Sequence, residues 1–161
     1  MVYVMKFYVD GACPRNGKPD AIGAAAAGLR YRNGNERFRT RHLDTYYRKA
    51  TNQRAEILAI ILALEWVMDI YEDLNNSPRI KITIHSDSKY AVNCMRTWIY
   101  KWMHNEWKTS AEKPVANQDL IKDAITAQNR VLSIGKVVYK QVSRDDVYNA
   151  DKKCKEVLKN M

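Results

Sequence analysis

Four acidic side chains stand where carboxylates could act together. Asp10 follows the apolar run Tyr3–Val9 and precedes Gly11, and Asp87 follows the β-branched run Ile80-Lys81-Ile82-Thr83-Ile84. Glu56 falls in the first turns of a helix-patterned stretch, and Asp151 lies near the start of the last one. Taken singly, an aspartate after a strand is usually a turn former or a helix cap. As a set they pose an electrostatic problem, because converging carboxylates repel unless cations neutralise them. The histidines His42, His85 and His104 and the cysteines Cys13, Cys94 and Cys154 are scattered, with no zinc-type spacing. An oxygen-only donor set favours Mg²⁺ or Mn²⁺ over zinc. A hard-cation site in a chain of net charge +9 has the layout of two-metal phosphoryl chemistry on a polyanion.

The elements that must position these residues fit one domain over residues 1–161, the usual size of a folding unit. With 46% apolar residues, a core can form without disulfides or structural metals. The basic residues are spread along the chain rather than gathered in a tail. Three widely spaced cysteines read as reduced thiols. Met1 leads straight into a strand-like run, and no apolar stretch approaches the ~20 residues of a membrane span. A soluble, intracellular, monomeric protein is expected, with no membrane association and no obligate protein partner.

Along the chain, strand-like runs at Tyr3–Val9, Ile22–Arg32 and Phe38–Tyr47 suggest an antiparallel meander, with Asn33-Gly34-Asn35 as its hairpin turn. The period then changes. Apolar residues at 57, 60/61, 64, 67/68 and 71 mark a helix from Thr51 to about Tyr71, with Thr51 or Asn52 as N-cap. Asn75–Pro78 breaks the chain before the fourth strand, which leads to Ser86-Asp87. Short helices are expected at Ser88–Asn93 and Thr97–Asn105, a loop at Trp107–Pro114, and a helix at Asn117–Val131. Lys136–Val142 reads as a fifth strand and Val147–Asn160 as a terminal helix. This order predicts an α/β mixed sheet with helices on its faces, and Asp10 and Asp87 at strand ends.

Local sequences add a resemblance. Tyr8-Val9-Asp10-Gly11-Ala12-Cys13 with Asn16-Gly17, Thr51-Asn52-Gln53-Arg54-Ala55-Glu56, Ser86-Asp87-Ser88-Lys89-Tyr90, and Trp107-Lys108-Thr109-Ser110 followed by Lys113-Pro114-Val115, Asn117 and Asp119-Leu120 occur in that order. Together they resemble the type 1 ribonuclease H family over about Met5 to Val157, with TNQRAE the most specific word. The resemblance implies a ribonuclease H-like fold: a five-stranded mixed sheet, three strands antiparallel and then two parallel, flanked by helices on both faces. It implies hydrolysis of the RNA strand of an RNA–DNA hybrid by two Mg²⁺ ions (Mn²⁺ a possible substitute), leaving 5′-phosphate and 3′-hydroxyl ends. Asp10, Glu56, Asp87 and Asp151 would be the metal ligands, with Asp10 bridging both ions. One ion would help generate the attacking hydroxide while the other stabilises the leaving 3′-oxygen.

The resemblance also implies a binding surface. Trp98 and Trp102, four apart on a polar helix with Lys101, would line an exposed channel for the DNA strand together with Thr109 and Ser110. Lys101, Lys108 and Lys113 would add phosphate contacts. Tyr90, beside the third acid, belongs to the same surface. Thr51 and Asn117 match residues that grip a DNA phosphate, and Lys49 stands where some relatives carry arginine. Asn16, Asn52 and Gln53 match amides that read the hybrid's minor groove, although Asn16-Gly17 equally suits a plain turn. The final motif departs from the common form. Val142–Asp151 is short and has no histidine, so Asp151 is taken as the fourth acid with Asp146 as rival and Asp145 more distant, and Arg144 as a product-phosphate contact. Alternatives are a hybrid-binding module without turnover, a retroelement polymerase's ribonuclease H part and a transposase core. All four acids, the position of Met1 only nine residues before the first aspartate, and the TNQRAE word speak respectively against these.

Overall fold

The computed structural model describes residues 2–160. Five strands form one sheet: β1 (Val2–Ala12), β2 (Ala24–Arg30), β3 (Glu36–His42), β4 (Arg79–Ser86) and β5 (Gly135–Gln141), in the order β3-β2-β1-β4-β5. β1–β2 and β2–β3 are antiparallel, whereas β1–β4 and β4–β5 are parallel, the mixed sheet expected from the sequence. Parallel neighbours require crossovers, which are helical here. Helix α1 (Asn52–Glu72) links β3 to β4, and α2 (Lys89–Asn93), α3 (Ile99–His104) and α4 (Gln118–Leu132) lie between β4 and β5. Helix α5 (Tyr148–Lys159) closes the chain.

Side-chain alternation assigns the two sheet faces. Met5, Phe7 and Val9 of β1, Ala25, Ala27 and Leu29 of β2, and Ile80, Ile82 and Ile84 of β4 are buried in one core with α1 and α4. Helix α1 is buried at nearly every position from Arg54 to Val67, as a helix between a sheet and another helix must be. Full burial of Ile57, Ile60 and Leu64 contributes roughly 1.5–3 kcal/mol each. The opposite face is covered by α5 near the ends of β1 and β2, where Ala26 packs on Ala150 and Cys154. Farther down that face, the Arg30 guanidinium lies 3.6 Å over the Tyr8 ring, which stacks at 4.1 Å on His85.

Several boundaries differ from expectation. β2 starts at Ala24 rather than Ile22, and β3 stops at His42 rather than Tyr47, because Ala24 and His42 are the last paired residues. Asp44 then accepts the Tyr46 N–H at 2.9 Å and turns the chain. The two short helices after β4 are one continuous arm: a π-helical turn over Cys94–Trp98 joins α2 to α3. Ala91, Val92, Cys94, Met95 and Ile99 are buried, so the arm rests on the core without a break. A 3₁₀ turn at Arg144–Val147 leads into α5.

Candidate active site

Backbone pairing brings the first three acids together. Asp10 lies within β1, not at its end, since Gly11 and Ala12 still pair with Ala25 and Ala24. Val9 is level with Ser86 on the parallel neighbour, so Asp10 and Asp87, each the next residue along, stand at the same height. Gly11 then admits helix α1. A Cβ there would sit 2.3 Å from the carbonyl carbon of Ala55 and 2.5 Å from the nitrogen of Glu56. Only glycine permits this approach, which sets Glu56 beside the strand carrying Asp10. Thr51 caps the helix, its hydroxyl accepting the Arg54 N–H at 3.1 Å. Ser88 caps α2 by accepting the Ala91 N–H, and its hydroxyl donates to Glu56 Oε2 at 2.6 Å.

Asp151 reaches the same corner from α5. The small residues Ala26 and Ala150 let that helix lie close to the sheet, and the Cys154 thiol donates to the Asp10 carbonyl at 3.3 Å. Asp10 is 8% exposed. Burial, the charges of Asp87 and Asp151, and a hydrogen bond with Asp151 push its pKa up to about 8. Burial also raises Glu56, against the opposing Ser88 hydrogen bond. Asp146, the rival fourth acid, is exposed, and its Oδ2 accepts the Ser143 hydroxyl at 3.1 Å; Asp145 is exposed too. Neither is among the charges acting on Asp10.

The donor chemistry fits a hard divalent cation, which would stabilise ionised carboxylates that are otherwise driven toward protonation. Asp10, Glu56, Asp87 and Asp151 offer only oxygen. Among the described residues, no three ligating side chains form a tight ready-made cage. Glu56 is drawn to Ser88, and Asp151 Oδ2 lies 2.8 Å from Lys155 Nζ. His85 is turned away, with Nδ1 at 2.9 Å from the Phe7 carbonyl. His42 and His104 are exposed elsewhere, and all three thiols are buried.

Beside the acids, amides form a clasp. Asn16 Oδ1 accepts the Asn52 N–H at 2.9 Å, and Asn52 Oδ1 accepts the Cys13 N–H at 3.0 Å. Their carbonyl ends hold the loop to α1, while both residues remain exposed. Asn117, left-handed at φ 62°, donates from Nδ2 to the Tyr90 hydroxyl at 3.1 Å and to Gln53 at 3.4 Å. Buried Arg54 supports this group through a bidentate pair with Asp119 at 2.9 and 2.8 Å, which holds the Asp119 carboxyl below its usual pKa. Thr51 is half-buried and Lys49 exposed nearby. The sequence reasoning assigned no role to Arg54, Asp119 or Ser88. Each sits inside a recognised motif word, but their work of holding other side chains is visible only in three dimensions.

The aromatic arm corrects one expectation. Trp98 and Trp102 are not an exposed arm but half-buried and packed on the core. They form a ladder, Tyr90–Trp98–Trp102–Trp107, with successive ring centroids 6.0, 5.9 and 6.1 Å apart. Lys122 lies 5.0 Å over Trp107. Thr109 is half-buried in a loop closed by its N–H to the Lys113 carbonyl at 2.7 Å. Ser110, Lys101, Lys108, Lys113 and Arg144 are exposed.

Comparison with known proteins bears on the family and the fold. The RNase H family profile matches residues 3–143. The chain is 39% identical over 123 residues to a ribonuclease H of Ruegeria sp. (strain TM1040), covering 76% of this chain and 71% of that protein. It is 41% identical over 117 residues to a ribonuclease H of Schizosaccharomyces pombe, covering 73% of this chain but 39% of that longer protein. The crystal structure of RNase H1 from the halophilic archaeon Halobacterium salinarum NRC-1 shares the fold, with a TM-score of 0.65 and 21% identity over 99% of this chain and 100% of that one.

Proposed function

This chain belongs to the RNase H family, and we propose that it is a single catalytic domain that hydrolyses the RNA strand of RNA–DNA hybrids by two-metal-ion catalysis, leaving 5′-phosphate and 3′-hydroxyl ends. The observation that carries this reading is the corner itself: a buried aspartate, Asp10, held against Asp87 and Asp151 with Glu56 fixed alongside by the Gly11 contact. Like charges at such a spot are tolerated when cations sit among them. Asp10, Glu56, Asp87 and Asp151 would hold Mg²⁺, or Mn²⁺ in its place. The chemistry supplied there is activation of water for attack on phosphorus and neutralisation of the leaving oxygen.

The chain's own residues do the rest. Asp10, whose carboxyl feels the charges of both Asp87 and Asp151, would be the central ligand. Ser88 orients Glu56 by its 2.6 Å hydrogen bond. Asn16 and Asn52 use their carbonyl ends internally, so their NH₂ ends are available to the acceptors of a minor groove, including 2′-hydroxyls. Thr51, Lys49 and Asn117 would hold a phosphate of the DNA strand, with Gln53 and Tyr90 alongside. Trp98 and Trp102 would present their open faces to sugars, flanked by Thr109, Ser110 and the lysines. Arg144 would meet product phosphate. Among the described residues no helix is long and apolar enough to cross a membrane, and we read the protein as an intracellular monomer.

Labelled RNA–DNA hybrid, RNA duplex and DNA duplex, each incubated with Mg²⁺, Mn²⁺ or chelator, test this. Cleavage confined to the RNA of the hybrid and abolished by chelator is expected. Equal cutting of all three duplexes, or cutting indifferent to chelator, would refute it.

A further inference from the structure

Between β3 and α1 the chain carries two aromatic rings that nothing in the fold uses. Tyr46 and Tyr47 are each 82% exposed, the most open of the large apolar side chains among the described residues. Their rings meet edge to face, with centroids 4.6 Å apart and planes at 79°. Such a pair braces one ring with the edge of the other and leaves an open π-face toward solvent. Burying neither ring forgoes the stabilisation that tyrosines give a core, so their presence is not explained by folding.

The surroundings are cationic. Arg48 and Lys49 follow directly, and Arg48 donates to the Tyr47 carbonyl at 3.3 Å while lying near enough to Asp119 to lower its pKa. The turn carrying Arg15 and Lys18 is tied to the same loop by the Gly17 N–H to the Ala50 carbonyl at 3.0 Å. Tyr47 is four residues and Tyr46 five residues before Thr51, the cap of the helix that carries Arg54, so both backbones lie within ~18 Å of it.

We infer that Tyr46 and Tyr47 form a stacking platform for single-stranded DNA that continues the DNA strand of a hybrid past its paired end. Open aromatic faces beside cations bind unpaired bases irrespective of sequence, whereas a duplex offers such rings no base face except at its end. This subsite rests on the reading that Thr51, Lys49 and Asn117 hold the DNA strand, since the strand held there is the first to reach the tyrosines.

The test compares binding, by fluorescence anisotropy in Ca²⁺ to suppress cleavage, of a blunt hybrid and of hybrids extended by about six unpaired nucleotides of DNA or RNA at either end. The wild-type protein is expected to bind one DNA-extended hybrid about tenfold more tightly than the blunt one. Y46A/Y47A should lose that gain while binding and cleaving the blunt hybrid normally, and Y46F/Y47F should keep it. The proposal is overturned if no overhang tightens binding, if an RNA overhang does so as well as DNA, or if the alanine variant weakens blunt and extended hybrids alike. A wild-type protein that ignores the blunt hybrid altogether would instead count against the proposed hybrid nuclease.

Discussion

The acidic corner, drawn from β1, α1, α5 and the end of β4, adjoins the aromatic arm that follows β4, yet the two are built on different principles. In the corner, position is set by main chain. Parallel pairing levels Asp10 with Asp87, and the Gly11 contact fixes the turn of α1 that carries Glu56. In the arm, position is set by side chains: a ladder of half-buried rings each leaning on the next, ending in a loop with left-handed residues at Glu106, Trp107 and Glu112. A site held by backbone fails abruptly when one atom is added. A site held by stacked side chains loses affinity gradually. This is the difference expected between groups that must meet a reacting phosphorus within fractions of an ångström and groups that only hold a polymer in place.

Substitutions in the corner should therefore have the largest effects. Asp10→Asn is expected to abolish hybrid cleavage while leaving hybrid binding, measured by anisotropy, nearly unchanged; normal turnover would remove Asp10 from the site. Gly11→Ala drives a methyl into the α1 backbone, and should cost about 3 kcal/mol in chemical denaturation along with most activity. If G11A is as stable and active as the native chain, the close approach is not what positions Glu56.

The raised pKa of Asp10 gives a pH signature with a definite sign. Its folded pKa, about 8, lies above the unfolded value, so the protonated form stabilises the fold at low pH and that stability is lost as pH rises through about 8. Glu56 shifts in the same direction. In chelator, melting temperature should fall from pH 6 to pH 9 by an amount corresponding to on the order of 2 kcal/mol, and Asp10→Asn should flatten most of that slope. A slope unchanged in the variant would place its origin elsewhere.

Supporting residues should show intermediate effects and the arm smaller ones. Asp119→Ala leaves the buried Arg54 guanidinium unpaired and should cost about 2 kcal/mol of stability and weaken hybrid binding through Asn117. Trp102→Ala should weaken binding by roughly 1–2 kcal/mol with the cleavage step at saturation retained. An unfolded W102A protein would mean that the ladder serves the core alone.

How much of this was legible beforehand follows the same division. The succession of strands and helices and the helix carrying Glu56 were readable because period, apolar content and breakers agreed at Phe7, Ile82 and the α1 stripe. The end of β3 was missed because nothing in Phe38–Tyr47 marks where β2 runs out of partners; pairing is a property of two segments. Asp10 was expected at a strand end, but Gly11 is needed inside the strand for helix contact. The clasp of Asn16 with Asn52 and the Arg54–Asp119 pair join residues 36 and 65 positions apart, distances at which a single sequence carries no contact signal. The half-burial of Trp98 and Trp102 was hidden because polar neighbours on their helix suggested solvent, whereas the continuous arm presses one face on the core.

In the proposed function four particular carboxylates share one metal-dependent task, and Asp151, which follows the short histidine-free segment, is the one with neighbouring rivals. The most direct test is Mg²⁺-dependent cleavage of RNA–DNA hybrid by D10N, E56Q, D87N, D151N, D145N and D146N, each confirmed folded by circular dichroism. The first four should be inactive and the last two active within a few-fold of the native chain. Full activity in D151N together with loss in D146N would contradict the assignment and move the fourth ligand into the 3₁₀ turn.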